Sequence, residues 1–261
     1  MAAALSPRLS VTVTRAAQFS LQTDLDVPTD RTNLLVRAFE RVMPADCFAF
    51  EVESGIPLCG GLGSSASAVV AGVLAAKQLG GRCEDPLGLA IDVDGVADNA
   101  AAAIEGGVTI NVGGHVSRLD PPSCVELLIV APSDAVHTDQ ARKVLPTQVR
   151  LVDAVANAGF AAVLGAGIAA NDPELIAHGL HDCIHQDARS NLFPNSYELL
   201  GRASEFGALG ATISGAGPSV LVWCAAGERH NVRTMIEPLA TGWAQLLEVE
   251  FDPIGAVVEV G

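Results

Sequence analysis

The stretch Ile56-Pro57-Leu58-Cys59-Gly60-Gly61-Leu62-Gly63-Ser64-Ser65-Ala66 constrains this chain more than any other. Before it, Phe48 to Ser54 alternates apolar and polar residues, the pattern of a half-buried strand. After it, Ala66 to Leu79 carries Val69, Val73 and Ala76 on one stripe with Val70 and Leu74 beside it, and Gly80-Gly81 closes the run. That pattern predicts a buried helix. Glycines between a strand and a helix let main-chain N–H groups come close to a ligand. Free N–H groups and the positive end of the helix dipole favour a polyphosphate there. Ser64 or Ser65 can cap the helix or turn its hydroxyl toward that ligand. A plain glycine turn into a core helix accounts for the same residues, since such turns are common.

Three sharper readings of the loop fail on particular residues. Gly61-x-Gly63-x-x-Ala66 matches the dinucleotide fingerprint weakly, but the acids that should close a second strand, Glu84 and Asp85, sit in a polar loop with no strand before them. A P-loop needs lysine after its last glycine, and Gly63 is followed by Ser64. A hydrolase elbow needs Gly-x-Ser-x-Gly, and Ser65 has Ser67 where the second glycine belongs.

Composition narrows the function classes. A chain of 261 residues holds one large domain or two ordinary ones. Its net charge is −15 and its only lysines are Lys77 and Lys143, so it offers no basic patch for nucleic acid or anionic lipid. A polyanionic ligand must then be met locally, by backbone N–H groups, a metal ion and a few arginines. Cysteines 47, 59, 83, 124, 183 and 224 are scattered without a Cys-x-x-Cys pair, which fits reduced thiols in the cytoplasm. The first residues lack the charged start and apolar run of a signal peptide. The longest apolar run, Val155–Ala170, is broken by Asn157 and is shorter than the roughly 20 residues that span a bilayer. It reads as a buried helix of a soluble protein.

Along the chain, strands are expected at Leu9–Thr14, Val108–Val112, Val125–Val130, Ala211–Ser214, Ser219–Trp223 and Leu246–Phe251. Helices are expected at 33–43, 85–94, 98–105, 139–144, 149–170, 173–185, 194–206 and 231–239. Pro121-Pro122-Ser123 marks a boundary between two halves. The mixture is α+β.

Further clusters bear chemistry. Asp94-Gly95-Val96-Ala97-Asp98-Asn99 gathers three polar groups ahead of an alanine-rich helix, though a capped loop needs the same residues. Thr138-Asp139-Gln140-Ala141-Arg142-Lys143-Val144-Leu145-Pro146 reads by composition as a surface helix with a threonine cap. His185-Gln186-Asp187-Ala188-Arg189 and Ile213-Ser214-Gly215-Ala216-Gly217-Pro218-Ser219 complete the set, the latter a hairpin turn by composition. His178, His181 and His185 fall at spacings of three and four on one predicted helical face. No nearby ligand partners stand out for a metal, so they read as a polar face.

Pro57-x-x-x-Gly61-Leu62-Gly63-Ser64-Ser65-Ala66 resembles the phosphate-binding motif of the GHMP small-molecule kinases. The remaining clusters resemble, in order, the homoserine kinase branch of that family. Asp94-Gly95-Val96-Ala97-Asp98-Asn99 stands for Glu-Gly-His-Pro-Asp-Asn, with Asp94 in place of the family's glutamate. Thr138 to Pro146 stands for Thr-x-x-x-Arg-x-x-Leu-Pro, and His185 to Pro194 for His-Gln-x-Tyr-Arg-x-x-x-x-Pro, with Ala188 replacing the tyrosine. The segment 213–219 matches the C-terminal glycine motif. Family members also begin with Pro-x-Ser-x-Asn-Leu-Gly-Pro-Gly-Phe-Asp, for which this sequence has no counterpart; residues 1–26 resemble the strand region after it. The expectation is a chain truncated at its N-terminus or lacking that motif.

The resemblance implies a two-domain α+β fold. An ATP-binding N-terminal domain like domain 2 of ribosomal protein S5 would occupy residues 1–122, and a ferredoxin-like C-terminal domain residues 123–261. It implies ATP-dependent phosphorylation of L-homoserine to O-phospho-L-homoserine, on the route to threonine. Pro57, Leu58, Cys59, Gly60, Gly61, Leu62, Gly63, Ser64, Ser65 and Ala66 would hold ATP, and Ser65 with Asp94 would hold Mg2+. Asn99, Arg142 and Thr138 would be catalytic. Asp98, Asn99, Arg142, Arg189 and Gly215 would contact the substrate, Arg189 gripping its carboxylate through the planar guanidinium fork. The partners implied are small molecules, with no nucleic acid and no membrane, and the resemblance leaves room for a homodimer. Two other readings stay open: a kinase of the same fold for another small alcohol, of mevalonate or sugar type, and a non-catalytic nucleotide-binding homologue.

Overall fold

The computed structural model describes residues 1–58, 60–134 and 138–260, without the side chain of Thr138. The chain forms two compact units. The first comprises Met1–Ile56, Gly63–Leu119 and Phe251–Gly261, and the second Pro57–Leu62 and Asp120–Glu250.

The first unit contains β1 (Ala2–Ala3), β2 (Leu9–Arg15), β3 (Ser20–Thr23), α1 (Leu34–Glu40), β4 (Phe48–Ser54), α2 (Ser64–Gln78), α3 (Pro86–Asp94), α4 (Ala97–Glu105), β5 (Val108–Val112) and β6 (His115–Leu119). One sheet has the order β2-β4-β3, with β2 antiparallel and β3 parallel to the central β4. A second, antiparallel sheet has the order β1-β5-β6. The alternation in β4 turns Phe48, Phe50 and Val52 into the core. There Phe39 of α1 meets Phe50 edge-on, ring centroids 5.0 Å apart. Asn33 caps α1, its Oδ1 accepting from Leu35 N at 2.9 Å, and Asp85 caps α3 with Pro86 in the first turn. The predicted stripe of α2 is buried: Val69, Val70, Val73 and Ala76 pack in the cores it shares with α1, α3 and α4. Segments β1, β3 and β6 add to the predicted strands; they are short or largely exposed and carry weak alternation.

The second unit runs β7 (Val125–Pro132), α5 (Thr138–Lys143), α6 (Leu151–Ala170), α7 (Pro173–Gly179), α8 (Gln186–Arg189), α9 (Pro194–Arg202), β8 (Gly210–Ile213), β9 (Val220–Ala225), α10 (Arg229–Ala240) and β10 (Ala244–Val249), with a 3-10 turn at Ala203–Phe206. Its antiparallel sheet has the order β10-β7-β9-β8. Numbered within the unit this is 4-1-3-2, with helices after the first and third strands, the ferredoxin-like arrangement. Continuous apolar runs in β7 and β9 suit central strands, and Leu128, Val130, Val220 and Val222 pack with Leu199, Val232 and Ile236 of α9 and α10.

Two expectations are corrected. The run Val155–Ala170 is helical but not buried: Leu151 is 80% and Val155 64% exposed, and only Gly165, Gly167 and Ile168 in α6 are buried. Alanine favours the helix whether or not it is covered. By length and composition alone, the 20 residues of α6 suffice to cross a membrane, but its C-terminal end packs on α7 around Gly167 and Gly179. The helix predicted at 173–185 stops at Gly179. Asp182 ends it by taking the N–H groups of Ile184 at 2.7 Å, His185 at 2.5 Å and Gln186 at 3.3 Å on its Oδ1, which starts α8 instead. His178, His181 and His185 therefore do not share a helix face. His181 stacks on Phe160 and His185 Nδ1 lies 2.9 Å from Asp182 Oδ2.

Candidate active site

In the first unit the chain enters α2 through Gly63, whose φ of 75° is left-handed. Gly63 N-caps the helix and provides no side-chain hydrogen bond, so the first N–H groups of α2 have no cap of their own. Ser65 is exposed on that first turn and Ala66 is buried beneath it. The Ser65 hydroxyl donates to Asp94 Oδ2 at 3.2 Å. Asp94 is the last residue of α3, and Gly95, at φ 74°, turns the chain into α4. Asp98 and Asn99 lie in the first turn of α4, where Asp98 Oδ1 accepts from Asn99 N at 3.1 Å. A Cβ built on Gly63 would lie 3.7 Å from Asn99 Cγ, so Asn99 stands against the helix entrance. Thus Gly63, Ser65, Asp94 and Asn99 come together in one unit.

Hydroxyl and carboxylate oxygens are hard ligands of the kind Mg2+ takes, alongside phosphate oxygens and waters. Two adjacent vertices of its octahedron lie about 2.9 Å apart, given metal–oxygen distances near 2.05 Å. The observed 3.2 Å between Ser65 Oγ and Asp94 Oδ2 is close to that edge. The shorter aspartate therefore reaches the serine where the family has glutamate, and the pair fits the ion. Among the described residues no group of three or more His, Cys, Asp or Glu side chains forms a metal cluster.

In the second unit, Pro57–Leu62 is held by the glycine turn at 214–219. The Ser214 hydroxyl donates to Gly61 O at 2.9 Å, and Ser219 N donates to Gly60 O at 3.2 Å. Gly61, at φ 78°, lies so close that a Cβ there would run into Ser214 O and come within 2.8 Å of Gly217 O. Only glycine fits both the angle and the approach. Ser196 Oγ donates to Pro218 O at 2.7 Å, and Ile213 N donates to the buried Gln186 Oε1 at 2.8 Å, which ties the turn to α9 and α8. Cys59 lies outside the described residues.

Arg189 closes α8 and is 8% exposed. Its Nε donates to Ala141 O at 3.1 Å and its Nη1 to Gly215 O at 3.0 Å. Among the described residues no carboxylate lies in ion-pair contact with it. Burial lowers its pKa, the negative Asp182 opposes this, and the positive Arg142 adds to it. Arg142, next to Ala141 on α5, is exposed and electrostatically close to Arg189. Asp182 is held well below the usual carboxylate range: burial works against its charge, but the His185 side chain and the N–H groups of His185 and Ile184 outweigh it. Sequence reasoning missed Asp182, although an aspartate two to four residues ahead of a short polar helix is a capping signal. It also missed Gln186, Ser214 and Ser219 as anchors, because their partners are distant in sequence.

Comparison with known proteins gives the family. Residues 33–116 match the GHMP kinases N terminal domain, and residues 166–237 match GHMP kinases C terminal. A homoserine kinase of Deinococcus radiodurans is 36% identical over 222 residues, covering 80% of this chain and 72% of that protein. One from Clostridium botulinum is 31% identical over 218 residues, covering 80% and 73%. The crystal structure of a homoserine kinase from Cytophaga hutchinsonii superposes with a TM-score of 0.77 at 28% identity, covering 95% of this chain and 86% of that one. A putative homoserine kinase from Listeria monocytogenes gives 0.78 at 26% identity, covering 97% and 90%. With relatives of that identity and coverage and both domain matches, the chain belongs to the homoserine kinase family of GHMP kinases.

Proposed function

We propose that this enzyme transfers the γ-phosphoryl group of ATP to the side-chain hydroxyl of L-homoserine, giving O-phospho-L-homoserine and ADP on the route to threonine. The observation that carries the choice of acceptor is Arg189, a buried guanidinium whose hydrogen bonds, among the described residues, go to two backbone carbonyls. A charge kept out of water without a carboxylate partner is costly unless a ligand supplies one. The α-carboxylate of an amino acid suits its planar fork.

The loop 57–66 and the N–H groups that open α2 cradle the phosphates of ATP. Ser65 and Asp94 are the residues that would hold Mg2+. When bound, that ion offsets the negative charge of the phosphate oxygens. Arg142 offsets charge on the transferring group. Asp98 and Asn99 orient the acceptor, and the resemblance alone gives Thr138, whose side chain lies outside the described residues, a catalytic role. The acceptor oxygen bonds to phosphorus as the bond to ADP breaks, and the hydroxyl proton passes to water. Such transfers depend mainly on positioning and electrostatics, so a dedicated base is not required. The ATP-binding domain is assigned to residues 1–122 and the C-terminal domain to 123–261; the compact units depart from that division at Pro57–Leu62, Asp120–Pro122 and Phe251–Gly261. The free thiols of Cys47, Cys83, Cys124, Cys183 and Cys224 support a cytoplasmic setting.

A coupled ADP-release assay with Mg-ATP and a panel of L-homoserine, mevalonate and galactose tests the reading. Turnover that depends on homoserine is the expected result. Turnover with another alcohol would reassign the acceptor, and nucleotide binding without any turnover would favour the non-catalytic homologue.

A further inference from the structure

The turn at 214–219 holds a polar group that its surroundings leave unexplained. Ser219 is 0% exposed, and among the described residues its Oγ has no hydrogen-bond partner. Native folds keep few such groups, because a buried hydroxyl without a partner loses its water and gains nothing in return. The Ser219 backbone is fully used: its N–H donates to Gly60 O at 3.2 Å and its carbonyl accepts from Ser214 N at 2.8 Å. The idle hydroxyl faces the same glycine, since a Cβ built on Gly60 would lie 3.2 Å from Ser219 Oγ. Ser214, five residues earlier, already donates its hydroxyl to the next carbonyl of the loop, Gly61 O. One serine of the turn is therefore engaged with the loop, and the other is aimed at it and idle.

We propose that Ser219 is a positioning residue for the nucleotide: its hydroxyl pairs with the loop backbone at Gly60 when the loop closes on a polyphosphate. The inference rests on the reading of 57–66 as the phosphate loop. Gly60 has no side chain to keep the hydroxyl away, so its backbone is free to approach Ser219 Oγ. A serine hydroxyl both donates and accepts, so it serves a carbonyl or an N–H as the closed loop requires. Being wholly buried it does not touch the ligand, and it acts through the backbone that does. The free chain carries the penalty of the unpaired group and binding releases it, so the hydroxyl favours the bound state.

The test is Ser219→Ala in the full chain, with two readouts. The thermal midpoint without nucleotide should stay level or rise, because the variant removes an unpaired polar atom. Binding of a non-hydrolysable ATP analogue with Mg2+, followed by calorimetry, should weaken about five- to tenfold, the worth of one hydrogen bond. KM for ATP should rise while KM for homoserine stays within about twofold, since no homoserine contact is altered. A folded variant that binds the analogue as tightly as the parent overturns the inference alone. A lower midpoint, or failure to fold, overturns it too, since the hydroxyl would then already be paired in the free chain. A parent chain that binds no nucleotide overturns the phosphate-loop reading and this inference with it.

Discussion

Replacing Arg189 by alanine should separate the two substrates. The guanidinium has five N–H donors, and the fold uses two, on Ala141 O and Gly215 O. The three that remain are enough for a two-bonded pair with a carboxylate. Hydrogen bonds to charged groups are each worth about 1.5–3 kcal/mol, and water replaces part of what is lost, so the net cost is about 3–4 kcal/mol. That corresponds to a fall of roughly 100- to 1000-fold in kcat/KM for homoserine. ATP is touched only indirectly: Gly215 follows Ser214, whose hydroxyl holds Gly61, so KM for ATP should move by no more than about threefold. Arg189→Lys keeps the charge but not the fork and should recover only part of the loss. Arg189→Ala leaves both Ala141 O and Gly215 O without this donor and Arg189→Lys leaves at least one, which costs about 1–3 kcal/mol of stability, so a thermal melt must first show each variant folded. The assay is ADP release with each substrate titrated at saturation of the other. Equal losses for ATP and homoserine, or no loss for homoserine, would refute the carboxylate role.

Asp182→Asn should lower stability near neutral pH, read as a thermal midpoint. The folded carboxyl titrates well below its ordinary value of 3.8, so its charge stabilises fully above that pH and loses its worth as pH falls further. The gap between variant and parent should therefore narrow below about pH 4, where the unfolded carboxyl takes up its proton. Asp94→Asn removes the carboxylate charge beside Ser65 and should raise the Mg2+ concentration for half-maximal rate by about tenfold or more, while Asp94→Glu should stay near the parent. Gly61→Ala places a Cβ against Ser214 O and Gly217 O in a left-handed conformation. It should cost about 1–2 kcal/mol from the backbone alone, more from the clash, and should abolish nucleotide binding in whatever protein folds.

Local patterns carried the parts of the fold that depend on local chemistry. The alternation of Phe48, Phe50 and Val52 and the Val69–Val73–Ala76 stripe were readable because each element buries one face. The same patterns misled where burial depends on what lies opposite. The apolar residues of α6 predict a covered helix, but its buried residues, Gly165, Gly167 and Ile168, lie only toward its C-terminal end. The histidines at 178, 181 and 185 predict one face, but the Asp182 carboxylate competes for the backbone and starts a new helix. In the site, the glycine loop stood out from its residues, whereas Asp94 and Arg189 were singled out only by resemblance; the structure sets Asp94 beside Ser65 and buries Arg189. Gln186, Ser214 and Ser219 were not legible, since each acts on a backbone group between 27 and 159 residues away.

The acidity of the chain bears on how it binds a polyanion. A P-loop enzyme brings a lysine to the phosphates, whereas here Lys77 lies in the last turn of α2, at the far end from the loop, and Lys143 ends α5. On the proposed reading, the positive potential offered to ATP comes mainly from the N–H dipoles at Gly63–Ala66 and from an ion that Ser65 and Asp94 would hold. Dipoles act at contact distance and are little screened by salt, unlike exposed side-chain charges. Nucleotide affinity should therefore fall only about two- to threefold between 50 and 300 mM KCl, but should depend strongly on Mg2+. A steep salt dependence with little need for Mg2+ would mean that exposed arginines, not the loop and its ion, supply the attraction.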